Sequence, residues 1–319
     1  MINSAKNQPE VMDRTEADII RTLLYFDIFS YPLLKEEIIK FSGIFKINVN
    51  EAEGILNRFV AQEYIFKHEK FYSLHAERND VTKRLKGNRN AEKVLKTAKW
   101  ISRFIGSFPF VRGVYISGTL SKGYADEESD IDYFIVTEPG RLWIARTLLT
   151  AFKKIFLFNS RKYFCTNYFI DSDHLEISDK NRYTATELLT LIPMYNSELF
   201  EKLITSNTWT ECYLPNYKMN QQVKEKSNSV KGVFIKGGIE KLLGGKTGER
   251  IDSFFLKLTL NRLKRKFSYL KEEEFEHALR SRKYISKHHP RNYQKIVLNK
   301  LEEKIEIFER EFNVQLSNG

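Results

Sequence analysis

Cysteine is almost absent from this chain. Cys165 and Cys212 are the two it has, too few for a disulfide framework, and with no export signal in view both are expected as reduced thiols. No run of about 18 or more apolar residues occurs. The nearest, Leu142 to Phe158, is interrupted by Arg146, Lys153 and Lys154, so neither a membrane span nor a membrane partner is expected. Met1 to Asp13 is polar, with neither an apolar stretch nor a small-residue cleavage site, and gives no sign of a secretory leader. Internal repeats and low-complexity tracts are lacking too, and the expected compartment is the cytoplasm.

Acidic residues are short in one part of the chain. Against 52 Lys and Arg stand 41 Asp and Glu, a formal charge of +11, and from Tyr217 onward the count is 23 basic to 13 acidic. Most of the excess therefore sits in the last third, which offers a surface to nucleic acid or to nucleotide phosphates, or else is a solvated helical region rich in lysine. At 319 residues, 42% hydrophobic and 29% charged, the composition is that of a globular protein of two or three domains.

Periodicity divides the chain into four parts. In residues 12–76, Thr15 is a candidate cap for a helix carrying Ile19, Ile20, Leu23 and Leu24 at helical spacing, and Tyr31-Pro32 breaks it. Leu34 to Phe41 fits a second helix, and Asn48 or Asn50 can cap a third bearing Ala52, Ile55, Leu56 and Phe59. Tyr64 to Leu74 alternates like a two-stranded ribbon. Three helices and a ribbon suit a winged helix-turn-helix. Residues 77–106 read as a linker helix, with Val94, Leu95, Ala98, Ile101 and Ile105 near helical spacing.

Residues 107–215 read as a mixed α/β core. Val111 to Ile116 suits a buried strand, Ile131 to Val136 a second, Arg141 to Ile155 an amphipathic helix and Tyr163 to Ile170 a third strand. A helix around Thr184 to Thr205 follows, and Pro215 marks a boundary. Residues 216–319 read as a basic helical domain interrupted at Gly237-Gly238, Gly244-Gly245 and Pro290. The expected class is α+β.

Chemistry concentrates between Ser117 and Asp132. Gly118 and Gly123 bracket a turn whose backbone N–H groups can approach phosphate oxygens with no Cβ in the way, Thr119 adds a hydroxyl, and Lys122 lies within the turn. After a polar loop come Ser129, Asp130, Ile131 and Asp132. Carboxylates two apart on a strand share one side, roughly 6 to 7 Å apart, which lets them converge on a pair of cations about 3.5 to 4 Å apart. Mg2+ is the natural guest, because it is hard and fills its remaining positions with water and phosphate.

The order of apolar strand, Gly-Thr-Leu-Ser-Lys-Gly, polar loop and Ser-Asp-Ile-Asp resembles the signature of the DNA polymerase β nucleotidyltransferase superfamily. That resemblance implies a mixed sheet with helices and a two-ion Mg2+ site on Asp130 and Asp132. Gly118 and Thr119 would contact the triphosphate, with Lys122, Gly123 and Ser129 beside them. It further implies an enzyme that transfers a nucleoside monophosphate from a nucleoside triphosphate such as ATP to an acceptor hydroxyl. A protein, a small molecule or RNA would each serve as acceptor. Thr119 stands where the family more often has Ser, which keeps the hydroxyl.

One departure stands out. Active members carry a third carboxylate on the next long strand, where this chain has Asn167, which can offer a carbonyl to a cation but cannot act as a base. Asp171 has the same parity along an extended strand and is the alternative third carboxylate, with a strand-ending turn as its other reading. Asp173 and Glu176 follow in a loop. The rival to an enzyme is a DNA-binding regulator or nucleotide sensor with a degenerate core. Against it, Asn50 to Phe59 holds Glu51 and Glu53 but one basic residue, Arg58. Arg282 and His288 have the spacing of a small ribonuclease pair, a pattern that basic helices supply freely.

Overall fold

The computed structural model describes residues 9–160, 162–218 and 234–317. Among them the chain is an α+β fold of twelve α-helices and three sheets, and no helix is long and apolar enough to cross a membrane. β1 (Glu10–Met12) leads into α1 (Arg14–Asp27). The helix starts at Asp13 rather than at Thr15. The Asp13 carboxylate accepts from the Glu16 N–H at 2.8 Å and the Glu16 carboxylate from the Asp13 N–H at 3.0 Å, a reciprocal cap that satisfies two donors at once.

β2 (Leu33–Leu34), α2 (Lys35–Phe41) and α3 (Val49–Ala61) follow, the last capped by Asn48. β3 (Phe66–His68) and β4 (Phe71–Ser73) form the expected ribbon, and β2 pairs with β4 to make a three-stranded sheet. α4 (Asn79–Gly106) then runs out toward the larger sheet. Its Arg84 is buried, donates to both oxygens of Glu37 at 2.7 Å and to the Pro32 carbonyl, and lies over the rings of Tyr31 and Phe71. Such a fork ties the long helix to the first helical unit.

The chain next builds β5 (Val111–Ser117), α5 (Gly118–Ser121), β6 (Asp132–Thr137), α6 (Leu142–Phe156) and β7 (Cys165–Asp171). α7 (Arg182–Leu189), β8 (Ile192–Tyr195) and α8 (Ser197–Thr205) come after them. The single helix expected over Thr184 to Thr205 is therefore two helices with a strand between. Pro193 accounts for the break: it cannot donate within a helix, yet it is accommodated in an edge strand, and β8 is the edge beside β5.

The rest comprises α9 (Phe234–Leu242), α10 (Gly245–Lys266), α11 (Glu272–Leu279), β9 (Ser281–Arg282), β10 (Ile285–Lys287), α12 (Tyr293–Phe312) and β11 (Val314–Leu316). Gly237-Gly238 lies inside α9, so the interruption expected there does not occur, whereas Gly244 does separate α9 from α10. The large sheet has the order β8-β5-β6-β7-β10-β9. Residues 281–287 thus extend the central sheet from beyond the expected boundary at 216. β11 pairs in parallel with β1, and Val297 and Phe308 of α12 join the core of the first helical unit.

Two cores sandwich the large sheet. On one face α4, α6 and α10 cover Val114, Ile116, Tyr133, Ile135 and Phe169. On the other, α7 and α8 cover Tyr115, Phe134, Val136 and Ile170. β6 and β7 are parallel and are joined through α6, since a parallel pair needs a crossover.

Candidate functional site

Ser117, the last residue of β5, pairs with Asp132, the first of β6. The turn that leaves one strand and the carboxylate that opens the next therefore lie side by side. Gly118 has φ +70° and Gly123 φ +73°, conformations that suit glycine. At Gly118 a Cβ would also meet Asp132 Oδ2 at 2.6 Å. The absence of a side chain there is what lets backbone and carboxylate come together.

Thr119 is exposed on this turn. Lys122 Nζ donates to the Gly118 carbonyl at 3.0 Å and to Glu187 Oε1 at 2.7 Å, so its charge is paired across to α7. The Ser129 hydroxyl donates to Asp126 Oδ1 at 2.7 Å and accepts from the Asp126 N–H at 3.0 Å; it closes the loop that delivers Asp130. The Ile131 N–H donates to the Lys162 carbonyl at 2.9 Å and the Ile131 carbonyl accepts from the Cys165 N–H at 3.1 Å. Asp130 and Asp132 flank this paired residue, an extended arrangement that puts both on one side.

Asp132 is partly buried, and its environment is electrostatically tense. Burial first, then repulsion from Asp130 and Glu187, push its carboxyl up to about 6, against a hydrogen bond from the Cys165 thiol and the attraction of Lys122. Cys165 is pushed up to about 12 by burial and by Asp132, and so stays a neutral thiol. Asn167 Nδ2 donates to Asp132 Oδ1 at 3.3 Å and approaches Cys165 Sγ at 3.0 Å.

The register explains how Asn167 gets there. Tyr133 pairs with Thr166 but Phe134 pairs with Tyr168, so Asn167 is the extra residue of a bulge. Bulges re-aim side chains and reverse the alternation beyond them. Asp171 pairs with Thr137, five residues from Asp132, and so faces the opposite side of the sheet. The shared face expected for Asn167 and Asp171 from parity is corrected by that extra residue. Asp171 is buried, and its Oδ1 accepts from His174 Nδ1 at 2.7 Å and from the Asp173 N–H at 3.1 Å. It is occupied as a strand-ending turn residue.

Three placements escape a reading of the sequence. Glu187 comes to the site from α7, and no local motif announces it. Cys165, expected as a reduced thiol, is buried and touches the site's carboxylate. Asp132 is held off full charge by its burial and by Asp130 and Glu187, against the hydrogen bond from Cys165. Among the described residues no group of three or more His, Cys, Asp or Glu side chains is placed to hold a metal ion; Asp130 and Asp132 make a pair, with Asn167 beside them. Arg282 is exposed and paired with Glu276 at 2.7 Å, and the His288 N–H donates to the Asn167 carbonyl at 2.9 Å. No family model, curated protein or solved structure matches the chain.

Proposed function

We propose that this chain is a Mg2+-dependent nucleotidyltransferase of the polymerase β type. It moves a nucleoside monophosphate from a nucleoside triphosphate to an acceptor hydroxyl and releases pyrophosphate. The observation that carries the reading is the approach of Gly118 to Asp132, 2.6 Å from a would-be Cβ to the carboxylate oxygen. A bare backbone turn pressed against a carboxylate pair suits a ligand that brings cations and phosphate oxygens to the same place.

The donor set fits a hard divalent ion: two carboxylates, one amide that can turn its oxygen inward, and an open side for water and phosphate. Such an ion supplies charge neutralisation and alignment of the acceptor with phosphorus. Around it the Gly118–Gly123 backbone and the Thr119 hydroxyl hold phosphate oxygens. Lys122 is within reach of the same turn. Asn167 orients Asp132 but takes no proton, and Glu187 is a further carboxylate that acts on Asp132, held by Lys122. The acceptor is a protein side chain, a small molecule or an RNA end.

In this reading residues 12–76 are a winged helix-turn-helix. The rival, a DNA-binding regulator with a degenerate core, draws on Asn167. It is weakened by α3, where Arg58 is paired with Glu16 and Glu53 with Lys35 at 2.8 Å, leaving that helix without a free cation among the described residues. Replacing Asp130 and Asp132 with Asn removes two charges and little volume. Binding of labelled triphosphates should then lose its Mg2+ dependence while the circular dichroism spectrum stays that of the parent. An unchanged Mg2+ requirement in the double variant would show that the metal assignment is wrong.

A further inference from the structure

An exposed aromatic surface spans α4 and the end of α6. Trp100 of α4 is 69% exposed and stacks on Phe104, with centroids 6.4 Å apart and planes 6° apart. Phe104 meets Phe152 of α6 at 4.9 Å, and Phe152 stacks on Phe156 at 5.0 Å. A continuous apolar strip thus crosses from one helix to the other. Where α6 ends, Ile155 and Phe156 are 66% and 65% exposed, and Phe158, on the turn that follows, is 92% exposed. Three large apolar side chains so close in sequence stand out into solvent.

The two stretches of chain that carry this strip hold one sign of charge. No Asp or Glu occurs between Glu92 and Asp126 or between Glu138 and Asp171. Lys93, Lys96, Trp100 and Arg103 follow one another at helical spacing along an exposed stripe of α4. Lys154 lies next to Ile155, and Lys162 follows the turn. The two lysines and the arginine of that stripe, together with Lys154, make no ion pair with the described residues.

We propose that this face docks on an anionic lipid surface, with Ile155, Phe156, Phe158 and Trp100 entering the interface and the surrounding cations meeting headgroups. An apolar tip on stretches of chain that carry lysine and arginine and no carboxylate is the chemistry of an interfacial contact, and it needs no spanning helix. A second copy of the same face would set unpaired cations against unpaired cations. Single-stranded nucleic acid would supply the anion, but it stacks its bases on ring faces along a groove, whereas Ile155 offers no ring and Phe158 projects from a turn.

The test uses the full chain and vesicles of phosphatidylcholine, with and without phosphatidylglycerol. Co-sedimentation is expected with the anionic vesicles alone and should weaken as salt is raised. Of the other two tryptophans Trp143 is fully buried and Trp209 half-buried, so a blue shift of emission on binding that disappears in Trp100→Phe would report this face. Phe156→Ser with Phe158→Ser should reduce partition by about tenfold or more. Both side chains are largely exposed, and only the stacking of Phe156 on Phe152 is lost, so the melting temperature should fall little; if that variant fails to fold, Lys154→Glu tests the same surface through its charge. The proposal is overturned if the parent ignores anionic vesicles, or if the variants bind them as the parent does. It is equally overturned if the variants lose oligonucleotide binding or self-association while vesicle binding is untouched.

Discussion

Gly118 and Asp132 stand so close that a Cβ on the glycine would lie 2.6 Å from the aspartate Oδ2. Two penalties coincide at this residue, the positive φ and the collision, while at Gly123 the φ is similarly positive but the nearest neighbour of a Cβ is Asn88 Nδ2 at 3.8 Å. Gly118→Ala should therefore cost about 2 to 4 kcal/mol and displace the carboxylate, whereas Gly123→Ala should cost about 1 to 2 kcal/mol. Urea denaturation of both variants makes the comparison. Equal losses would mean that backbone strain alone sets the glycine requirement at 118.

Asn167→Asp would place a third carboxylate beside Asp132 at nearly constant volume. The expected result is tighter Mg2+ binding and a less stable metal-free protein, since like charges crowd a partly buried site. Asp171→Ala should leave Mg2+ binding alone. Asp171 lies six residues along β7 from the partner of Asp132, about 20 Å away along an extended strand, and on the other side. Calorimetric titration with Mg2+ reads both, and a loss of binding in Asp171→Ala would refute the register argument.

Asp252 carries a pH dependence that owes nothing to the candidate site. It is fully buried on α10, and its Oδ1 accepts from the Trp143 and Ile144 N–H groups at the start of α6 at 2.8 and 3.0 Å, while Oδ2 has no partner among the described residues. Burial outweighs those hydrogen bonds and pushes the carboxyl up to about 6. In the unfolded chain an aspartate titrates near about 3.9. The native state therefore favours the protonated form, so the contribution is fully present below about pH 4 and is lost as pH rises through 6. Asp252→Asn keeps the acceptor for both amides and should flatten that part of the stability profile by on the order of 2 kcal/mol. Melting temperatures between pH 4 and 8 decide it; a variant profile parallel to the parent's would assign the titration elsewhere.

Arg84 supplies a fourth test. Removing one partner of its buried fork leaves Glu37 facing a void, so Arg84→Ala should destabilise by about 3 to 5 kcal/mol. Arg84→Lys keeps the charge but loses the second hydrogen bond and the flat stacking on Tyr31, and should recover only part. If lysine restores full stability by urea denaturation, charge rather than geometry is what matters there.

What the sequence reveals follows from how far each signal reaches. Ile19, Ile20, Leu23 and Leu24, or Val111 to Ile116, announce themselves because helix and strand periods are local. The Gly118–Asp132 pairing is legible for the same reason, as the turn and the strand are close in sequence. β8 is hidden because Leu188 to Ile192 continues the apolar run of α7, and only Pro193 objects. β9 and β10 are two and three residues long and mostly polar, so they show no alternation. Asn167 is misread because parity counting assumes an unbroken ladder. Glu187 reaches Lys122 from 65 positions away, a distance no periodicity spans.

The parallel pairing of β1 with β11 bears on how the molecule is made. Glu10 emerges from the ribosome some 300 residues before its neighbour Val314, and synthesis runs at roughly 5 to 20 residues per second. For at least about fifteen seconds, then, α1 has neither Phe308 nor Leu316 against it, and part of its apolar surface faces the ribosome exit and whatever waits there. The first helical unit is translated ahead of the strands of the large sheet and completed only after them, so its edge strand stays open to a substitute partner throughout that interval.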